Sequence, residues 1–91
     1  MTVVVRVPPV LRAEAGGARE VHASGSNVRE VLEDLLQRLP ALGAKVYESG
    51  ELQSFVNVYV DGEDVRTLSG LDTKVQEGST VILLPAMAGG C

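Results

Sequence analysis

Apolar positions along the 91-residue chain fall into a few blocks, each bounded by glycine or proline, and the period inside each block predicts its structure. Thr2 to Val7 is mostly valine and ends at Pro8-Pro9, which lack the N–H that a sheet ladder needs, so it predicts a first strand. Apolar residues on both of its faces place it centrally. Leu11 to Ala15 leads into Gly16-Gly17, a pair suited to positive φ, and the reading there is a strand broken into a hairpin turn. Ala18 to Ala23 returns as the second strand.

Between Asn27 and Pro40 the period changes to that of a helix. Val28, Val31, Leu32, Leu35, Leu36 and Leu39 fall on one face of a 3.6-residue repeat. Asn27 is placed to cap the first turn, with Ser26 as the rival cap, and Glu30 can reach back to complete a capping box. Pro40 stops the helix. Residues 41–53 contain Gly43 and Gly50 without a clear period and read as a connecting loop with at most a short turn of helix. Phe55 to Val60 alternates: Val56, Val58 and Val60 fall on one side, with Phe55, Asn57 and Tyr59 on the other. Asp61-Gly62 predicts a tight turn and Glu63 to Arg66 a short return strand. Leu68 to Leu71 predicts a bend that packs Leu68 or Leu71 inward, and Glu77-Gly78 another turn. Thr80 to Leu84 is the last strand, apolar enough to be central.

One amphipathic helix must bury its stripe against one face of a mixed sheet whose parallel centre is the first and last strands. That is an α+β, β-grasp architecture over residues 1–84. Pro85 to Cys91 holds small residues and two glycines and is expected to be a flexible tail set off from the sheet by Pro85.

Composition narrows the chemistry. Eight Lys+Arg against 12 Asp+Glu give a net charge of −4, and the basic residues are scattered along the chain, which argues against nucleic acid as a partner. One Cys and one His cannot staple a secreted fold or build a structural zinc site, so no metal is expected and a cytoplasmic address follows. No apolar run is long enough to cross a membrane, and the N-terminus lacks the pattern of a signal peptide. Catalytic constellations are also missing. His22 reads as a surface or hydrogen-bonded structural residue. Glu30, Glu33 and Asp34 fall on the solvent side of the helix, and Gly16-Gly17 lacks the length and the lysine of a phosphate-binding loop.

Attention therefore falls on the last segment, where Gly89-Gly90 lie essentially at the chain end, beyond a central strand and Pro85. Three blocks carry a family resemblance. They are Asn27-Val28 before Val31-Leu32, Phe55 to Arg66 (FVNVYVDGEDVR), and Gly78 to Gly90 (GSTVILLPAMAGG). With them the chain resembles the ubiquitin-like sulfur carrier family (ThiS/MoaD-like), which groups the thiamine and molybdopterin sulfur carriers with the cysteine-synthesis carrier of actinobacteria. The middle block and Val7 to Arg12 look most like the cysteine-synthesis members.

The resemblance implies a protein cosubstrate with no catalysis of its own. An E1-like adenylating enzyme would use ATP to convert the terminal carboxylate of Gly90 into an acyl adenylate, and a sulfur donor would turn that into a thiocarboxylate. A sulfur-accepting synthase would consume it, in cysteine biosynthesis or a related sulfur transfer. Gly89, without a Cβ, would let the tail enter a narrow enzyme channel. Cys91 departs from the family pattern, since a Gly90-Cys91 amide leaves no free glycine carboxylate. It is an encoded extension, the cysteine product still attached to its carrier, or an added residue. For the first two, a zinc-dependent (JAMM-type) peptidase would cut after Gly90.

Leu84, Met87, Phe55 and Tyr59 are the expected apolar anchors of partner recognition, against the alternative of ordinary core packing for Phe55. Two other functions fit the same chain. One is a ubiquitin-like modifier joined to proteins through Gly90, and the other is a β-grasp interaction module that merely recruits a partner.

Overall fold

The N-terminal valine block forms β1 (Thr2–Arg6), with Val3 and Val5 fully buried and Val4 half-buried. It lies inside the sheet of the computed structural model, which describes residues 1–48, 51–52 and 56–85. The five-stranded sheet also contains β2 (Glu20–Ser24), β5 (Val56–Val60), β6 (Glu63–Asp64) and β7 (Thr80–Pro85), in the order β2-β1-β7-β5-β6. The first and last strands are its parallel pair, with Val5 beside Val81, and every other pairing is antiparallel. This is the expected β-grasp.

Helix α1 (Val28–Arg38) buries Val28, Val31, Leu32 and Leu35 against one face of the sheet, where they meet Val3, Val5, Val58, Val81 and Leu83 in one core. The other two members of the expected stripe sit at its edge. Leu36 is 36% exposed and Leu39 caps the helix, half-buried. Asn27 caps the first turn by accepting from the Glu30 N–H at 2.9 Å. Glu30 reaches back one residue further than a standard capping box, accepting from the Ser26 N–H at 2.8 Å and the Ser26 hydroxyl at 2.9 Å. These two donors hold the Glu30 carboxyl below its ordinary pKa.

Three expectations are corrected. Residues 9–15 form a 3₁₀ helix rather than a strand entering a hairpin. Pro9 supplies the fixed φ of a first helical turn, and Leu11 and Ala15, four apart, turn inward together. Gly16-Gly17, at φ +69° and +87°, closes that turn instead of a hairpin. The predicted loop after Pro40 holds α2 (Pro40–Val46), which buries Leu42 and Val46, followed by the two-residue strands β3 (Tyr47–Glu48) and β4 (Glu51–Leu52), paired with each other. Gly43 serves close packing there and does not mark a loop: a Cβ on it would lie 2.4 Å from the Leu36 Cα. Finally, Asp34 does not fall on the solvent side with Glu30 and Glu33, its side chain being only 19% exposed. It accepts from the Ser24 N–H at 2.9 Å, tying the end of β2 to α1, and pairs with Arg38 at 3.2 Å.

The Asp61-Gly62 turn forms as expected, with φ +50° and +92° at its two central residues. In the following segment Leu71 is partly buried and Leu68 is 43% exposed, so Leu71 is the residue that packs inward.

Candidate functional site

Strand alternation sorts the last strand into two sets. Val81 and Leu83 point into the core, while Thr80, Ile82 and Leu84 point to the face that α1 leaves open. On β5, Val56, Val58 and Val60 are buried, leaving Asn57 and Tyr59 on that same open face. Register then assembles a surface. Tyr59 sits opposite Ile82 and Asp64, Ile82 is beside Arg6, and Arg6 faces Glu20 with an ion pair at 3.7 Å. One step nearer the chain's end, Leu84 faces Asn57.

The root of the C-terminal segment is held at both ends of β7. At its start, the Asp61 carboxylate accepts from the Thr80 N–H at 3.0 Å and from the Ser79 hydroxyl at 3.2 Å. The Asp61-Gly62 turn aims that carboxylate, since the positive φ at Asp61 folds it back across the strand. At the other end Val56 pairs with Pro85, so Pro85 is the last residue of the strand rather than a separator from it. A strand end is where a residue lacking an N–H is tolerated. Arg66 braces this corner. Its guanidinium donates to the Val56 carbonyl at 3.0 Å and to the Asn57 side-chain oxygen. Asp64 orients the 3₁₀ turn Val65–Thr67 that carries Arg66, accepting from the Arg66 backbone N–H at 2.8 Å.

Of the anchors read from the sequence, Leu84 is 42% exposed and Tyr59 half-buried, and both lie on the open face near the root of the tail. Phe55 and Met87 lie outside the described residues, as do Gly89, Gly90 and Cys91. The structure adds Ile82 between Leu84 and Tyr59, a residue whose outward side was already legible in the alternation of Thr80 to Leu84. It also adds Arg66, for which a single sequence carries no signal, because the contact to Val56 depends on how the turn folds back. Three of the eight basic residues, scattered along the chain, come together in space: Arg6, Arg12 and Arg19 line one cleft. His22 is exposed on β2, opposite Val4.

Among the described residues, no group of three or more His, Cys, Asp or Glu side chains is placed to hold a metal ion, and no helix is long and apolar enough to cross a membrane. What this geometry offers is a small apolar surface rimmed by arginine, on the open face beside the end of β7 at Pro85.

Known proteins share both the fold and this arrangement of segments. The ThiS family profile matches residues 5–90. The sulfur carrier protein CysO of Mycobacterium tuberculosis is 40% identical over 93 residues, spanning 99% of this chain and 100% of its own. In the crystal structure of the Amycolatopsis orientalis BexX/CysO complex, a chain 41% identical superposes with a TM-score of 0.88, covering 97% of this chain and 99% of that one. The solution structure of small archaeal modifier protein 1 from Methanosarcina acetivorans, 31% identical, gives a TM-score of 0.85 over 98% of this chain and 96% of its own. With a family match running from within β1 to Gly90, and identity at this level over nearly the whole length, the chain belongs to the ThiS family.

Proposed function

We propose that this protein is a sulfur carrier, a cosubstrate whose reactive group is the carboxylate of Gly90. The observation that carries the reading is its 40% identity to the sulfur carrier protein CysO across 99% of the chain. The fold supports it. A central strand held at both ends makes a rigid base, so the position of the tail's root is set by the body that a partner grips.

The chemistry follows from the unreactivity of a carboxylate. An E1-like enzyme must let a Gly90 oxygen attack the α-phosphorus of ATP, expelling pyrophosphate. Sulfide from a sulfur donor, as HS⁻, then attacks the acyl carbon and AMP leaves, so that after loss of the thiol proton a thiocarboxylate remains. The chain contributes no catalytic group in this scheme and binds no cofactor, ATP being the activating enzyme's substrate. Gly89 provides passage through a narrow channel, and Leu84, Tyr59, Met87 and Phe55 provide apolar contact for that enzyme. The thiocarboxylate would then serve a sulfur-accepting synthase in the cytoplasm, with cysteine or a related metabolite as the product.

Cys91 blocks the first step, because the Gly90 carbonyl is committed to an amide. Removal of Cys91, by a zinc-dependent JAMM-type peptidase, therefore precedes activation. The test compares the full chain with one ending at Gly90. Each is incubated with an activating enzyme, ATP and a sulfur donor, and is read by intact mass. Thiocarboxylate on the shorter chain alone is the expected result. Thiocarboxylate on the full chain with Cys91 retained would overturn the precursor reading. Failure of the shorter chain, with an enzyme active on another carrier, would count against the carrier reading itself.

A second reading has its own support in the likeness to small archaeal modifier protein 1. A modifier shares the adenylation step but ends in an amide to another protein's amine. Conjugates of the Gly90-ending chain to lysines of other proteins in the native host would favour it.

A further inference from the structure

Three arginines converge from three separate segments. Arg6 ends β1, Arg12 belongs to the 3₁₀ turn, and Arg19 leads into β2. With Val7 and Glu20 they line an open cleft of about 560 Å³. Arg6 is paired with Glu20, both side chains being more than half exposed. Arg12 is steadied by its Nε, which donates to the Val7 carbonyl at 3.2 Å, and no carboxylate pairs with it among the described residues. Arg19 likewise has no ion-pair partner among them. Three of the chain's eight Lys+Arg thus face one glutamate, in a protein whose net charge is −4. Like charges crowded together repel, and an anion seated among them relieves that repulsion.

The cleft does not end there. A second one, of about 220 Å³, shares Arg6, Val7 and Arg12 and continues along Pro8, Pro9, Ile82 and Leu84 to the end of β7. The two clefts adjoin at these three shared residues, making a groove that is basic at one end and apolar at the other, with Leu84, near the end of β7, at its apolar end. A free oxyanion would use only the basic end. A nucleic acid backbone needs a longer run of positive charge than one cleft on an acidic protein offers.

We propose that this groove docks an acidic segment of a partner protein, whose carboxylates bind Arg6, Arg12 and Arg19 while an adjacent apolar side chain seats on Pro8, Pro9 and Leu84. The pairing of charge with an apolar neighbour gives the groove a direction, so a bound segment is held in one orientation relative to β7. The inference goes beyond the carrier reading and stands without it, since it requires no sulfur chemistry.

The test titrates the ¹⁵N-labelled full chain at low salt with the capped peptide acetyl-Leu-Asp-Glu-Asp-amide. Two comparison probes are its amide counterpart acetyl-Leu-Asn-Gln-Asn-amide and inorganic phosphate. Saturable shifts are expected at residues 6–12, 19–20 and 82–84, weakening as salt is added. The double variant Arg12→Glu, Arg19→Glu should keep a folded spectrum and bind the acidic peptide roughly tenfold more weakly. Equal binding of the amide peptide, unchanged binding by the double variant, or an absence of localised shifts would each overturn the proposal. So would phosphate that reproduces the whole pattern and displaces the peptide, which would make the basic end a free-anion site.

Discussion

Replacing Gly43 by alanine sets two physical effects against each other. Gly43 lies inside α2, and by helix propensity alone an alanine there should stabilise the protein by about 1 kcal/mol. The packing says otherwise. A Cβ on Gly43 would stand 2.4 Å from the Leu36 Cα and 2.8 Å from the Leu36 nitrogen, backbone atoms of α1 that no rotamer change can move aside. Ordinary carbon contacts lie near 3.5–4.0 Å, so α2 must retreat by roughly 1 Å, loosening Leu42 and Val46 in the core. Overpacking of this kind costs about 1–3 kcal/mol, and a backbone clash this close belongs at the upper end. After the propensity gain, Gly43→Ala should be destabilising by about 1–2 kcal/mol, a fall in Tm of roughly 5–15 °C for a domain of this size. Urea and thermal unfolding measure it. Ala44→Gly, on the exposed side of the same helix, is the control and should cost about 1 kcal/mol through propensity. Both exchanges should therefore destabilise, although propensity assigns them opposite signs. A Gly43→Ala protein as stable as the parent, or more so, would refute the close-approach argument.

Leu32→Ala removes a fully buried side chain from the centre of the α1 stripe and should cost about 2–5 kcal/mol in urea unfolding, whereas an unchanged midpoint would contradict its placement. Because hydrogen bonds from Ser26 lower the Glu30 pKa in the folded state, its contribution is present above the unfolded glutamate value and is lost as the pH falls through the lower folded value. Glu30→Gln should accordingly narrow its stability gap to the parent as unfolding is followed into acid, and a gap independent of pH would contradict that assignment. Leu84→Asp, at a side chain 42% exposed, should leave Tm nearly unchanged but raise KM for the activating enzyme without lowering kcat. Burying the part of Leu84 that is still exposed is worth roughly 0.6–1.3 kcal/mol, so a KM equal to the parent's would remove Leu84 from the docking surface.

Local rules carried much of the fold. The period of Val28 to Leu35, the cap at Asn27 and the stop at Pro40 act within a few residues, so α1 was legible before any partner was known. Strands β1, β2, β5 and β7 were legible for the same reason. Alternation in Val56 to Val60 needs only a face to bury, and Asp61-Gly62 needs only the left-handed conformation that those residues tolerate. The Gly89-Gly90 pair, part of the blocks that carry the family resemblance, is likewise a property of the sequence itself.

Other features depended on residues distant in the chain. Gly43 looks like a loop marker until Leu36 is placed against it, because the absence of a side chain has one local meaning and another at a helix contact. Residues 9–15 could have led into a hairpin, but two prolines without N–H groups fit a 3₁₀ turn, and the inward pair Leu11 and Ala15 closes the core there. The arginine cleft is the clearest case. Arg6, Arg12 and Arg19 are separated in sequence by six and seven residues; six would keep a strand face and seven a helix face, so no single period carries all three. They meet because β2 pairs back antiparallel onto β1, with Glu20 opposite Arg6, and the 3₁₀ turn between the strands brings Arg12 to the same edge. Periodicity encodes which side of an element a residue faces, whereas convergence of charges from separate segments is set by how those segments pair, and only the tertiary structure decides that.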